Sequence, residues 1–96
     1  RIIQKIHPEK WAALEEIEKK YTEVETGLGF PPKKRFRCLM GQHDSNTLII
    51  ERQWESLAAM EAAYEKAFVN PEHQALTQES AAIIQSGQYE VLMPLP

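Results

Sequence analysis

Three observations in the sequence predict an α+β fold with the element order β-α-β-β-α-(α)-β. Short segments of alternating polarity occur at Arg1–Ile6, Arg35–Gly41, Thr47–Gln53 and Tyr89–Met93. Two longer segments repeat apolar residues every three or four positions: Trp11, Leu14, Ile17, Tyr21, Val24 and Leu28, then Leu57, Met60, Tyr64 and Phe68. Glycine, proline and small polar residues punctuate the joints. Alternation puts every second side chain on one face of a strand, and three-and-four spacing puts a stripe along one side of a helix.

Size and composition narrow the class. A chain of 96 residues holds one hydrophobic core, so residues 1–96 are expected to form a single domain. Its 43% hydrophobic and 26% charged residues are those of an ordinary soluble globular protein. A net charge of −3 argues against nucleic acid as the main partner, which would need clustered Lys and Arg. Cys38 is the lone cysteine, which removes a disulfide framework or a cysteine zinc site and suits the reducing cytoplasm. No apolar run approaches the roughly 18 residues of a membrane span. No signal peptide is visible, and because the chain opens at Arg1 rather than Met, a few residues are expected to precede it.

In order, Arg1–Ile6 reads as the first strand. His7-Pro8 ends it, with Pro8 suited to the first turn of a helix and Glu9 to its dipole. The first helix follows to Gly27 and Gly29, and Pro31-Pro32 forbids its resumption. Strand two places Phe36, Cys38 and Met40 on one face and Arg35, Arg37 and Leu39 on the other. The stretch Gly41–Asn46 is turn chemistry, so strands two and three form a hairpin. Trp54-Glu55-Ser56 opens the second helix, with Ser56 as a candidate N-cap. Asn70-Pro71 interrupts it, and Pro71 opens a shorter helix carrying Leu76, Ala82, Ile83 and Ile84, closed by Gly87. Tyr89–Met93 is the last strand.

This order is that of the ferredoxin-like split βαβ arrangement: a four-stranded antiparallel sheet with its helices on one face. The more apolar set is expected to face the helices: Ile2, Ile6, Phe36, Cys38, Met40, Leu48, Ile50, Tyr89, Val91 and Met93. The opposite face then carries Ile3, Leu39, Ile49 and Leu92 among Lys5, Arg35, Arg37, Thr47, Glu51 and Glu90. So large a patch is unusual on a monomer. Burying it against a second copy would make a homodimer and enclose Arg35, Arg37, Glu51 and Glu90, which would then need partners or a ligand. The alternative is charge pairing across strands on an open face. Gln4 and Arg52 fall on the helix side. Arg52 snorkels at a strand end, a bulge shifts the register, or both residues line a pocket between sheet and helices.

The stretch TLIIERQWESLAAMEAAYEKAFVNPEHQAL resembles the NIPSNAP-like branch of the dimeric α/β-barrel superfamily. The likeness lies in Trp54, Ser56, Leu57, Ala58, Asn70 and Pro71, and in the closing YEVLMPLP. Met60 stands where the family pattern carries an Arg. The resemblance implies a ferredoxin-like protomer whose sheets pack face to face in a dimer. Trp54-Glu55-Ser56 is also similar to the "WES" of the related antibiotic-biosynthesis-type monooxygenases and their haem-degrading cousins. His73 is the one counterpart of the haem-degrading members' axial His, but it sits past Pro71, so haem is not expected.

Candidate chemistry rests on few residues. His7, His43 and His73 lie in different connections without metal-ligand spacing and read as solvated loop residues, so no metal and no cofactor is expected. Trp11, Tyr21, Tyr64 and Trp54 read first as packing, with Trp54 also a candidate ligand contact. Cys38 reads as a small buried hydrophobe. The basic cluster Lys33, Lys34, Arg35 and Arg37 either protects an edge strand or lets Arg35 or Arg37 hold an anionic group. Glu51 and Glu90, if enclosed, would rise in pKa and act as bases. Glu51 and Arg37 are therefore the foremost catalytic candidates, with Arg35, Arg52, Glu90 and Trp54 as ligand contacts. The function expected is a homodimeric binder of a small organic molecule, extending to a cofactor-independent monooxygenase or isomerase-like enzyme. The rival is a non-enzymatic dimerisation module.

Overall fold

The computed structural model describes all of residues 1–96. Its elements are β1 (Ile2–Ile6), α1 (Trp11–Gly27, entered through a 3-10 turn at Pro8–Lys10), β2 (Lys33–Arg37), β3 (Thr47–Arg52), α2 (Leu57–Val69), α3 (Pro71–Ser80) and β4 (Ile84–Tyr89). The strands form one antiparallel sheet in the order β2-β3-β1-β4, the ferredoxin-like arrangement that the element order implied. No helix is long and apolar enough to cross a membrane.

Local chemistry sets the joints. The amides of Gly29 and Phe30 donate to the carbonyls of Thr26 (3.2 Å) and Glu25 (3.0 Å), closing α1 with a Schellman turn. Gly29 takes φ 87° there, a conformation that glycine adopts at no steric cost. The turn swings Phe30 inward, where it is buried. Ser56 caps α2 by accepting from the Ala59 amide at 3.0 Å. Asn70 ends α2 and caps α3, its side chain accepting from the His73 amide at 2.9 Å, with Pro71 in the first turn.

Two apolar clusters follow. The larger joins Ile6, Leu48 and Ile50 of the sheet to Leu14 and Ile17 of α1, Leu76 of α3, and Ile83. The smaller is Phe30 against Ala63 and Ala67 of α2, rimmed by Leu28, Trp54 and Tyr64. Here the expected stripe of α2 is corrected. Leu57 and Phe68 are exposed, and the buried pair is Ala63 and Ala67, whose small side chains let the Phe30 ring lie close to the helix.

β2 turns the opposite way from the orientation expected of it. Arg35 stands opposite Ile50 and Arg37 opposite Leu48, so Lys33, Arg35 and Arg37 face the helices. Phe36 pairs with Ile49 on the outer face, across from the position expected of it. The cause lies in α1, where Glu15, Glu18 and Glu25 share a stripe and meet these bases. Arg35 makes two hydrogen bonds to Glu15, of 3.0 and 2.8 Å. Those bonds hold the Glu15 carboxyl below its ordinary range and push the Arg35 guanidinium up. Arg37 lies over the Trp11 ring at 4.1 Å and donates to the Ser45 carbonyl at 2.6 Å. Trp11 in turn donates to Asn46 at 3.0 Å, so this end of the sheet is tied to the 38–46 loop.

Other boundaries move as well. β2 ends at Arg37, leaving Leu39 and Met40 exposed in the loop; Cys38 is half-buried with its thiol 3.1 Å from the His43 carbonyl. α3 stops at Ser80, so Ala82 and Ile83 lie in a turn and Ile84 starts β4. Gly87 belongs to that strand, opposite Gln4, rather than closing a helix. The last strand therefore spans Ile84–Tyr89, and Val91, Leu92 and Met93 beyond it are exposed. Between its pairings of Ile6 with Ile84 and Lys5 with Ser86, Gln85 is an extra residue, a bulge in the edge strand.

Candidate functional site

Because α1 and α3 pack on the sheet while α2 packs on Phe30, the two clusters do not merge. Between them runs a half-open cleft of about 840 Å³. Its floor is the helix-facing side of the sheet: Ile2, Gln4, Ile50, Arg52 and Tyr89. Gln4 and Arg52 therefore line a pocket between sheet and helices, the third of the placements open to them. The walls are Ile17 and Tyr21 of α1, Tyr64 and Phe68 of α2, and His73 and Thr77 of α3. Phe68 and Tyr89 are exposed and stand at the mouth. Tyr64 lies 6.3 Å from Phe68, centroid to centroid, and its burial raises its phenol pKa.

A compact group of charges closes one end. Lys33 contacts Glu18 directly and its Nζ lies 2.9 Å from Glu25 Oε1. Arg52 donates to the same Glu25 oxygen at 2.7 Å and to the Pro31 carbonyl at 3.2 Å, with its guanidinium 5.1 Å from the Phe30 ring centroid. The side chains of Lys33, Glu18, Glu25 and Arg52 are only 6–13% exposed. Charges so far from water persist only when paired. Here two bases answer two acids.

His73 sits in the first turn of α3, half-buried, with its ring edge-to-face on Tyr21 at 5.7 Å. It is thus not the solvated loop residue expected from its surroundings in sequence. Tyr21 donates to Ser80 Oγ at 3.2 Å, because Ser80 spends its own proton on the Thr77 carbonyl. Burial pushes the His73 imidazole below its ordinary pKa, against an opposing pull from Glu25. A depressed value means that the unfolded chain takes up the proton first. Stability is therefore intact above about 6.5, the ordinary histidine value, and declines as pH falls through it towards the folded value. An NMR titration of the His73 ring should give a midpoint below about 6.5. A midpoint above that would mean that Glu25, not burial, governs the ring.

The anticipated site residues are dispersed. Arg52 is in the cleft. Arg35 lies beside it, half-buried, its Nε 3.8 Å from Glu18. Trp54 packs on Phe30 at 5.4 Å and Tyr64 at 5.9 Å, behind the cleft wall. Arg37 is at the opposite end of β2 with Trp11. Glu51 is on the outer face, exposed, 4.0 Å from Arg1, and alternation puts Glu90 on that face too. Sequence reasoning passed over Lys33, Glu18, Glu25 and Tyr21 in this role. Their signal was a matched pair of periods: acids at helical spacing in α1 and bases at every second position of β2. Nowhere do three or more His, Cys, Asp or Glu side chains converge as metal ligands would.

No family model matches the chain, and no curated protein does either. Among solved structures, the fold is similar to that of an uncharacterized NIPSNAP domain protein from Burkholderia xenovorans. The two share 16% identity and superpose with a TM-score of 0.74, over 98% of this chain and 90% of that one.

Proposed function

We infer, from a fold shared with a NIPSNAP domain protein, that this chain is NIPSNAP-like and binds a small, planar, partly apolar molecule in the helix–sheet cleft. The observation that carries the reading is the cleft itself. Its volume falls within the roughly 300–1,000 Å³ of ordinary ligand sites, and it combines apolar walls with a few convergent polar groups, as such sites do. Tyr64, Phe68 and Tyr89 offer aromatic faces to a flat guest. His73 lines the cleft and its burial favours the neutral ring, so it is the residue this reading assigns as proton acceptor. A cofactor-independent monooxygenase or an isomerase needs such a base beside the bond it acts on. The lone free cysteine suits a reducing compartment such as the cytoplasm.

The same reading includes a homodimer formed through the outer face of the sheet. Phe36, Ile49 and Ile3 lie in one row across β2, β3 and β1; Phe36 is 48% exposed and Ile49 half-buried, whereas Ile3, expected to be open on this face, is already buried within the single chain. A second copy laid on this row would cover it, and would enclose Glu51 and Glu90 as well. This row is also what favours the second reading, a module whose dimer surface is its function.

Native mass spectrometry of freshly purified protein tests both parts. The expected species is twice the chain mass with a small guest attached. Phe36→Glu should yield monomer that keeps its guest, and the exposed pair Phe68→Ala/Tyr89→Ala should keep the dimer and lose the guest. A wild-type monomer at micromolar concentration would sink the pairing. A guest that survives the Phe68/Tyr89 replacement would place it outside the cleft.

A further inference from the structure

We propose that the cleft selects an uncharged planar molecule bearing hydroxyl or carbonyl groups, read by the Gln4 carboxamide on the floor, and rejects organic ions. The proposal rests on the cleft being the binding site and adds the chemical class of its ligand.

The charges decide against ions. The titratable groups lining the cleft are Glu18, Glu25, Lys33, Arg52, His73 and the three tyrosines Tyr21, Tyr64 and Tyr89. Each of the two bases is already engaged by a carboxylate, Lys33 by Glu18 and Glu25, Arg52 by Glu25. An entering carboxylate would have to draw Arg52 or Lys33 away from Glu25 and leave that anion without its partners. An entering ammonium would have to take Glu25 from two cations at once. Either exchange strands a charge at a place with little access to water. A neutral guest disturbs nothing.

Gln4 supplies the groups that a neutral guest can bond to. It sits on β1, a central strand, and its helix-facing side chain is half-buried among Ile2, Ile50 and Tyr89 on the floor. Its carboxamide is absent from the side-chain hydrogen bonds that tie the molecule together, which instead engage Trp11, Tyr21, Arg52 and the helix caps. Opposite it is Gly87, where an added Cβ would come 3.6 Å from the Gln4 Cγ, so no side chain of the edge strand stands directly across from it. A primary amide offers donors and an acceptor together, the complement of a hydroxyl or a carbonyl on a ligand. Half-buried and unengaged, it stands ready to make those bonds.

Four naphthyl probes test the class on the full chain at neutral pH: 2-naphthol, 2-naphthoate, 2-naphthylmethylammonium and unsubstituted naphthalene, followed by NMR shift perturbation and calorimetry. Naphthol should bind at least about tenfold more tightly than either ion, a ratio set by the charge that each ion would strand. Gln4→Leu should erase the preference for naphthol over naphthalene. Glu25→Gln frees cationic charge of Lys33 and Arg52, and should raise naphthoate above naphthol. Naphthoate or the ammonium binding as tightly as naphthol to the unaltered chain would overturn the proposal while leaving the cleft as the site. So would a preference for naphthol over naphthalene that survives Gln4→Leu. If no probe perturbs the cleft residues at its solubility limit, the cleft reading falls, and this proposal with it.

Discussion

Replacing Glu25 with alanine is expected to lower the unfolding free energy by about 3 kcal/mol, at the low end of what breaking a buried ion pair costs because both bases keep a second partner. One oxygen of Glu25 serves both Arg52, at 2.7 Å, and Lys33, at 2.9 Å. Its removal leaves Arg52 with only the Pro31 carbonyl and the Phe30 ring. Lys33 retains Glu18. The diagnostic is a double-mutant cycle in urea. Arg52→Leu combined with Glu25→Leu should cost clearly less than the two single changes added together, because the pair is removed together and neither charge is stranded. Additive costs would show that water screens the two groups from one another.

Ile6→Ala is expected to cost about 2–5 kcal/mol, the usual range for emptying a large aliphatic position. Ile6 is 0% exposed and sits where Leu48 and Ile50 of the sheet meet Leu14, Ile17 and Leu76 of the helices. The backbone around it has little room to relax. Its amide bonds to the Asn46 carbonyl at 2.8 Å and that of His7 to Ile83 at 3.0 Å, so both flanking segments hold the strand in place. In a domain of this size each kcal/mol is worth about 4–8 °C, so the melting temperature should fall by about 10 °C or more. Protein concentration must be held fixed in that comparison, since a dimer would make the midpoint depend on it. A fall of only about 2 °C would mean that the cavity is filled by collapse of neighbouring side chains.

Both effects depend on residues that the sequence presented very differently. Ile6, Leu48 and Ile50 were legible as core, because β1 and β3 alternate cleanly and both are central strands with helices above them. The cap at Ser56, the break at Asn70-Pro71 and the stop at Gly29 were equally legible, since each depends on chemistry within a few residues, whereas the capping role of Asn70 emerged only in the structure. In β2, alternation separated Phe36 from Arg35 and Arg37 correctly. It was then oriented by the general preference for apolar side chains towards the helices, and that preference lost to the carboxylates of Glu15, Glu18 and Glu25.

The order of elements, the alternation within β1, β2 and β3 and the ends of α1 and α2 were thus written in local residue patterns, whereas the end of α3 and the span of β4 were not. Which face of β2 turned inward was decided by an ion-pair partner some 8 to 20 positions away along the chain. The cleft was likewise decided only in three dimensions. It exists because Phe30 draws α2 away from the sheet, keeping two apolar clusters apart around four paired charges. Period and propensity say which side chains share a surface, and only packing says what that surface meets.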